Sequence, residues 1–111
     1  MGPDELLGKI KTHEDDPNEL SKILLEISAL MFRAGSDLAD KQLEYADAII
    51  SILDNPARKV SVAEAERVAD VKTECNHDRA KYFKDALLEL LNSIKARLRV
   101  LESEREKSNT N

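Results

Sequence analysis

The chain has 111 residues, enough for one domain; 35% are charged, 4% are aromatic and none is Trp, with three glycines and three prolines. That balance excludes a β-sandwich or an α/β fold and favours long helices or coiled coils, while plentiful, periodic apolar residues (41%) exclude a disordered chain. The net charge of −5 is uneven: residues 1–57 hold twelve acids and five bases, residues 58–111 ten acids and twelve bases, as suits antiparallel helices that attract one another.

One cysteine, Cys75, excludes an intramolecular disulfide framework. No apolar run approaches about 18 residues, so no membrane span is expected. The start, MGPDELLGKIK, lacks the basic opening and apolar core of a signal peptide, so the expected location is cytoplasmic.

The first predicted helix is short, residues 3–13, with Leu6, Leu7 and Ile10 on one side. Helices under about a dozen residues need tertiary support. An acidic turn follows, His13-Glu14-Asp15-Asp16, in which His13 reads as exposed.

The second helix spans residues 17–54. Asp16 suits the N-cap, Pro17 the first helical position and Glu19 the third. Leu20, Leu24, Ile27, Met31, Ala34, Leu38, Tyr45, Ala48 and Ile52 then recur in steps of four and three, interrupted by Lys41, which is a heptad signature. Gly35-Ser36 costs about 1 kcal/mol of helix propensity relative to alanine and marks a kink or the close approach of a neighbour. Asp54-Asn55-Pro56 ends the helix, since proline cannot continue it.

The third helix starts at Ser61-Val62-Ala63-Glu64, a capping box with Glu64 reaching back to Ser61. No Gly or Pro occurs after Pro56, so the expectation is one unbroken helix over 61–106, roughly 65–70 Å long at 1.5 Å per residue. Residues 107–111 form a polar, frayed tail. Phe83, Leu87, Leu91, Ile94, Leu98 and Leu101 make a stripe widened by Leu88, Leu90 and Val100; earlier the seam thins to Val62, Ala65, Val68, Val71 and Cys75. The expected fold is all-α: a single domain, 1–111, built on a long antiparallel, coiled-coil-like hairpin of helices two and three. A lone hairpin would expose its leucines, so a homo-oligomer is expected, as a helical bundle or ring.

No catalytic, cofactor or metal site is expected. On an unbroken helix Cys75 and His77 point roughly 200° apart and cannot share a metal. Asp70, Glu74, His77 and Asp78 read as a solvated face balanced by Arg67, Lys72 and Lys81, and Cys75 as a small buried packing residue. There is no Ser, His and Asp set in a strand-turn-helix context and no glycine-rich phosphate loop, so the chain is expected not to be an enzyme. The candidate anion contacts are Lys95, Arg97 and Arg99, with Tyr82 and Phe83 available for stacking. Basic residues near a helix C-terminus are, however, favoured by the macrodipole alone, and the overall acidity opposes nucleic-acid binding. Asp37, Asp40, Glu44 and Asp47 offer a second reading, an acidic inhibitor or nucleic-acid decoy for a basic protein. A third is a purely structural helical scaffold.

The capped start VSVAEAERVADVK leads into a long helix with an aromatic pair, a Leu-Leu step and Ile94-Lys95-Ala96-Arg97. Over roughly residues 40–101 this layout resembles the small helical accessory proteins encoded near phage replication and recombination genes, and is similar to the UvsY recombination mediators. The resemblance implies a ring-like homo-oligomer, in an infected or lysogenic bacterial cell, that binds single-stranded DNA. It also implies help in loading a RecA-like recombinase onto DNA covered by a single-strand-binding protein. Lys95, Arg97 and Arg99 would then contact phosphates and the Phe83–Leu101 stripe would be the assembly seam. This chain departs from the family in its acidity.

Overall fold

The computed structural model describes residues 2–109 as four helices: α1 (Pro3–Thr12), α2 (Pro17–Leu53), α3 (Val62–Lys72) and α4 (Asn76–Asn109). Among the described residues there is no strand, and no helix is long and apolar enough to cross a membrane. The all-α class and the long helical hairpin are as the sequence leads one to expect. The helix ends follow from local chemistry. Asp16 Oδ1 accepts from the N–H groups of Asn18 (3.1 Å) and Glu19 (3.3 Å), satisfying two donors at the start of α2. α2 continues through Gly35-Ser36, and a side-chain carbon placed at Gly35 would meet nothing within 4 Å, so no neighbour comes close there. Ser61 caps α3 by accepting from Glu64 N–H (3.1 Å), but the box is only half made. The Glu64 carboxylate turns instead to Arg58 Nη2, at 3.0 Å.

The helix expected over 61–106 is two helices. After Lys72 the backbone turns left-handed at Glu74 and Cys75, with φ of 54° and 55°. Cys75 N–H donates to the Asp70 carbonyl (2.9 Å) and Glu74 N–H to that of Val71 (3.2 Å), the paired bonds of a Schellman stop. Such stops normally announce themselves by Gly at the left-handed position, and here Glu74 occupies it. α4 then starts from the Cys75 carbonyl, which accepts from Asp78 and Arg79. A left-handed L-residue costs about 1–2 kcal/mol, against roughly 0.5–1 for the extra freedom of an unfolded glycine. Glu74→Gly is therefore expected to leave stability unchanged or raise it by up to about 1 kcal/mol. On an unbroken helix the same change would cost about 1 kcal/mol. A lower urea midpoint for this variant would contradict the stop. α4 also runs on through Lys107 and Ser108, where a frayed tail is expected; Thr110 and Asn111 lie outside the described residues.

The chain divides into two compact units. The first joins the residues up to Arg33 with those from Asp85 onward, and the second spans Ala34–Lys84. In the first unit α1, the front of α2 and the rear of α4 bury Leu6, Ile10, Leu20, Ile23, Ile27, Leu87, Leu90 and Ile94. Their spacings of three, four and seven are those of inward helix faces, and each side chain fully buried contributes about 1.5–3 kcal/mol. In the second unit the buried apolar residues are all alanines, Ala34, Ala65, Ala69 and Ala80.

The stripe expected to hold subunits together is largely taken up inside the first unit. Leu87 and Ile94 are fully buried, Leu91, Leu98 and Leu101 are half-buried, and Phe83, in the second unit, is 37% exposed. On α2, Ile27 is buried while Leu24, Met31, Leu38, Tyr45 and Ile52 are half-buried. Ile23 lies outside the seam drawn from the sequence and is buried. The expectation of exposed leucines had left α1 out of the core. With Leu6 and Ile10 packed into the same unit, α1 is part of the cover.

Candidate interaction surfaces

The three cations of the expected anion cluster do not act together. Arg97 Nε donates to the Glu14 carbonyl (2.8 Å), and its Nη2 pairs with the Asp15 carboxylate. The sequence places Arg97 two residues from both Lys95 and Arg99, so it faces the acidic turn between α1 and α2 while they do not. That turn supplies both a carbonyl and a carboxylate, which suits the fork of a guanidinium. Arg97 thus ties α4 to the α1–α2 turn. Lys95 and Arg99 are exposed, and no carboxylate among the described residues pairs with either. Two cations are fewer than phosphate recognition ordinarily gathers on one chain.

The α3–α4 joint collects a different set. The Tyr45 ring stacks on His77, with centroids 4.0 Å apart and planes at 21°, and the Tyr45 hydroxyl donates to the Glu66 carbonyl at 3.3 Å. His77 Nε2 lies 3.4 Å from Asp78 Oδ1 and 3.6 Å from Asp70 Oδ1. Burial raises the Tyr45 pKa above 10.0, and the negative charges of Asp70, Glu66 and Asp78 add to the effect by opposing the phenolate. Stability from the neutral phenol is therefore complete below pH 10 and is lost as pH rises through the elevated value.

Cys75, expected to be buried, is exposed, because the break in the helix turns it outward. The same break brings Cys75 together with Asp70 and Asp78, one donor atom from each lying within 4.8 Å of the others. The 200° separation of Cys75 and His77 holds only on an unbroken helix, and His77 is here held against Tyr45. Three donors fall short of a closed four-ligand zinc site. Two recesses lie in the first unit. One, of about 540 Å3, is lined by the polar turn from Lys11 to Pro17, where the Thr12 hydroxyl donates to the Gly8 carbonyl (2.8 Å); the other, of about 520 Å3, by Asp15, Leu98, Leu101, Glu102 and Arg105 among others.

The outer face of α2 is the feature that the sequence pattern held and the inward seam obscured. In the second unit Ser36, Ala39, Leu43, Ala46, Ile50 and Leu53 recur in steps of three and four, and all are exposed, Leu43 at 63% and Ile50 at 56%. In the first unit Leu25, Ala29 and Phe32 keep the same register and are also exposed, Phe32 at 82%. This second series is displaced by five residues from the inward one, about 140° around the helix at 3.6 residues per turn. The acids are not spread evenly beside it. Asp40 and Asp47 each follow a stripe residue by one position, with Asp37 and Glu44 farther round on the same side. All four are exposed, and among the described residues only Glu44 has a cation in reach, Lys41 Nζ at 3.8 Å. The opposite flank carries uncharged Gln42 and Ile49.

Compared with known proteins, the chain matches no family model, no curated protein and no solved structure.

Proposed function

We propose that this protein is a non-enzymatic helical interaction module that works by protein–protein contact through the outer face of α2. One observation carries this reading: Leu43 and Ile50 stand 63% and 56% exposed in heptad register on a helix whose other face is already packed. Large apolar side chains repeated at that spacing on a surface mark a place where another helix lies.

The resemblance to the UvsY mediators names candidate partners, a RecA-type recombinase or a single-strand-binding protein. Single-stranded DNA is a lesser candidate, served by Lys95 and Arg99 alone. A ring or bundle of identical chains is the alternative use of the same face.

Sedimentation of the purified protein tests this, alone and mixed in turn with a RecA-type recombinase, a single-strand-binding protein and labelled single-stranded DNA, at low and high salt. The expected result is a protein complex or self-assembly that the double variant Leu43→Asp, Ile50→Asp abolishes while its helix content is unchanged. A protein that sediments alone as a monomer in every mixture overturns the reading. So does an assembly indifferent to those two substitutions. Binding to DNA alone, lost on Lys95→Ala with Arg99→Ala, would move the working surface to α4.

A further inference from the structure

Within the second unit, the outer face of α2 is specific about the sign of what it takes. We infer that Leu43 and Ile50, with the acids along one flank, form a docking site for a basic amphipathic helix of a partner protein: an apolar stripe bordered on one side by Lys or Arg. The inference rests on the interaction reading above and adds the partner's chemistry to it.

The stripe itself alternates large and small. Leu43 and Ile50 project, while Ala46 between them and Ala39 before them leave low ground, so an incoming helix can settle against the backbone with its own large residues over the alanines. Removing Leu43 and Ile50 from water supplies the affinity. The charges decide which helix is accepted. Asp40 and Asp47 border the stripe directly and no cation among the described residues neutralises either. Asp37 and Glu44 stand behind them, and Lys41 is turned inward and half-buried. Of these four acids only Glu44 is paired among the described residues, so the flank keeps a net negative charge, and the other flank, Gln42 and Ile49, is neutral.

That asymmetry argues against a second copy. In an antiparallel pair of identical helices like flanks face each other, so Asp40 and Asp47 would meet the same acids of the other chain. In a parallel pair they would lie beside Gln42 and Ile49 and gain nothing. Like charges brought together at a rim are repulsive, whereas a basic flank converts each acid into an ion pair. Phosphate backbones and anionic membrane surfaces are repelled by the same flank. Exposed rim pairs contribute little affinity each, so the acids act mainly on partner choice and on the rate of encounter.

The test uses two synthetic helical peptides that share one Leu/Ala heptad stripe and differ only in one flank, Lys in the first and Glu in the second. Fluorescence anisotropy follows their binding to the full chain at low and high salt. The Lys peptide is expected to bind about tenfold more tightly than the Glu peptide at low salt, the sum of two or three rim pairs, and the gap should narrow at high salt. Asp40→Lys with Asp47→Lys should reverse the preference. Leu43→Asp with Ile50→Asp should abolish binding of both peptides at unchanged melting temperature, since these side chains are exposed. Equal affinity for the two peptides would overturn this inference and leave the interaction reading standing, as would a dimer of the protein that Leu43→Asp dissolves. Failure of both peptides to bind also overturns it, and the sedimentation experiment then decides separately whether the broader reading survives.

Discussion

Ile94→Asp is expected to unfold the first unit. Ile94 is fully buried on the inward face of α4, among the large side chains that α1 and α2 pack into the same unit. An unpaired carboxylate there costs several kcal/mol, and no cation is buried with it: the residues buried among those described include none that is charged. Domains of this size are stable by only about 5–15 kcal/mol, so one such substitution removes most of the margin. The expected measurement is a large loss of far-UV circular dichroism, independent of protein concentration. Leu43→Asp provides the contrast: chemically almost the same change, made at an exposed site, is expected to shift stability by no more than about 0.5 kcal/mol. If instead Ile94→Asp keeps its helix content but loses assembled mass, α4 forms a seam between chains and the burial seen within one chain is not what holds it.

Leu6→Ala is expected to cost about 2–5 kcal/mol, enough to lower the melting temperature by roughly 10 °C or more. A ten-residue helix has almost no stability of its own, yet Leu6 is fully buried and Ile10 nearly so. Lys9 adds a contact with Glu26 at 3.5 Å, but both side chains are over two-fifths exposed and the pair contributes little. What keeps α1 in place is thus two apolar side chains, and shortening one leaves a cavity that a backbone tied at the Arg97 clamp cannot readily close. A change below about 0.5 kcal/mol would mean that α1 is undocked in solution.

The sequence was most informative where one residue type performs one local task. Asp16 and Ser61 cap the helices they were expected to cap, and Pro17 and Pro56 bracket α2. It was silent at the α3–α4 stop, because the left-handed position there is filled by Glu74 and a helix former in that place reads as helix. Periodicity was informative about which side chains share a face and uninformative about what covers that face. α2 carries two heptad series, and only packing shows that Leu20 and Ile27 go inward while Leu43 and Ile50 stay out. Arg97 illustrates the same limit for charge. Its place in a run with Lys95 and Arg99 made it a candidate anion contact, but the partner that claims it, the Glu14-Asp15 turn, lies more than eighty residues earlier in the chain. A contact of that range leaves no local signature.

The alanine core of the second unit gives the docking face a further meaning. Its buried apolar side chains are four alanines and the larger Leu38, Tyr45 and Ile52 are only half-buried, so this unit removes less apolar surface from water than the isoleucines and leucines of the first. Local opening, as read by amide hydrogen exchange, should therefore begin here. A helix seated on Leu43 and Ile50 would bind only the closed form and so would suppress that opening, in proportion to its own concentration over its dissociation constant. The partner, in that case, would hold closed from outside a unit whose own core is thin.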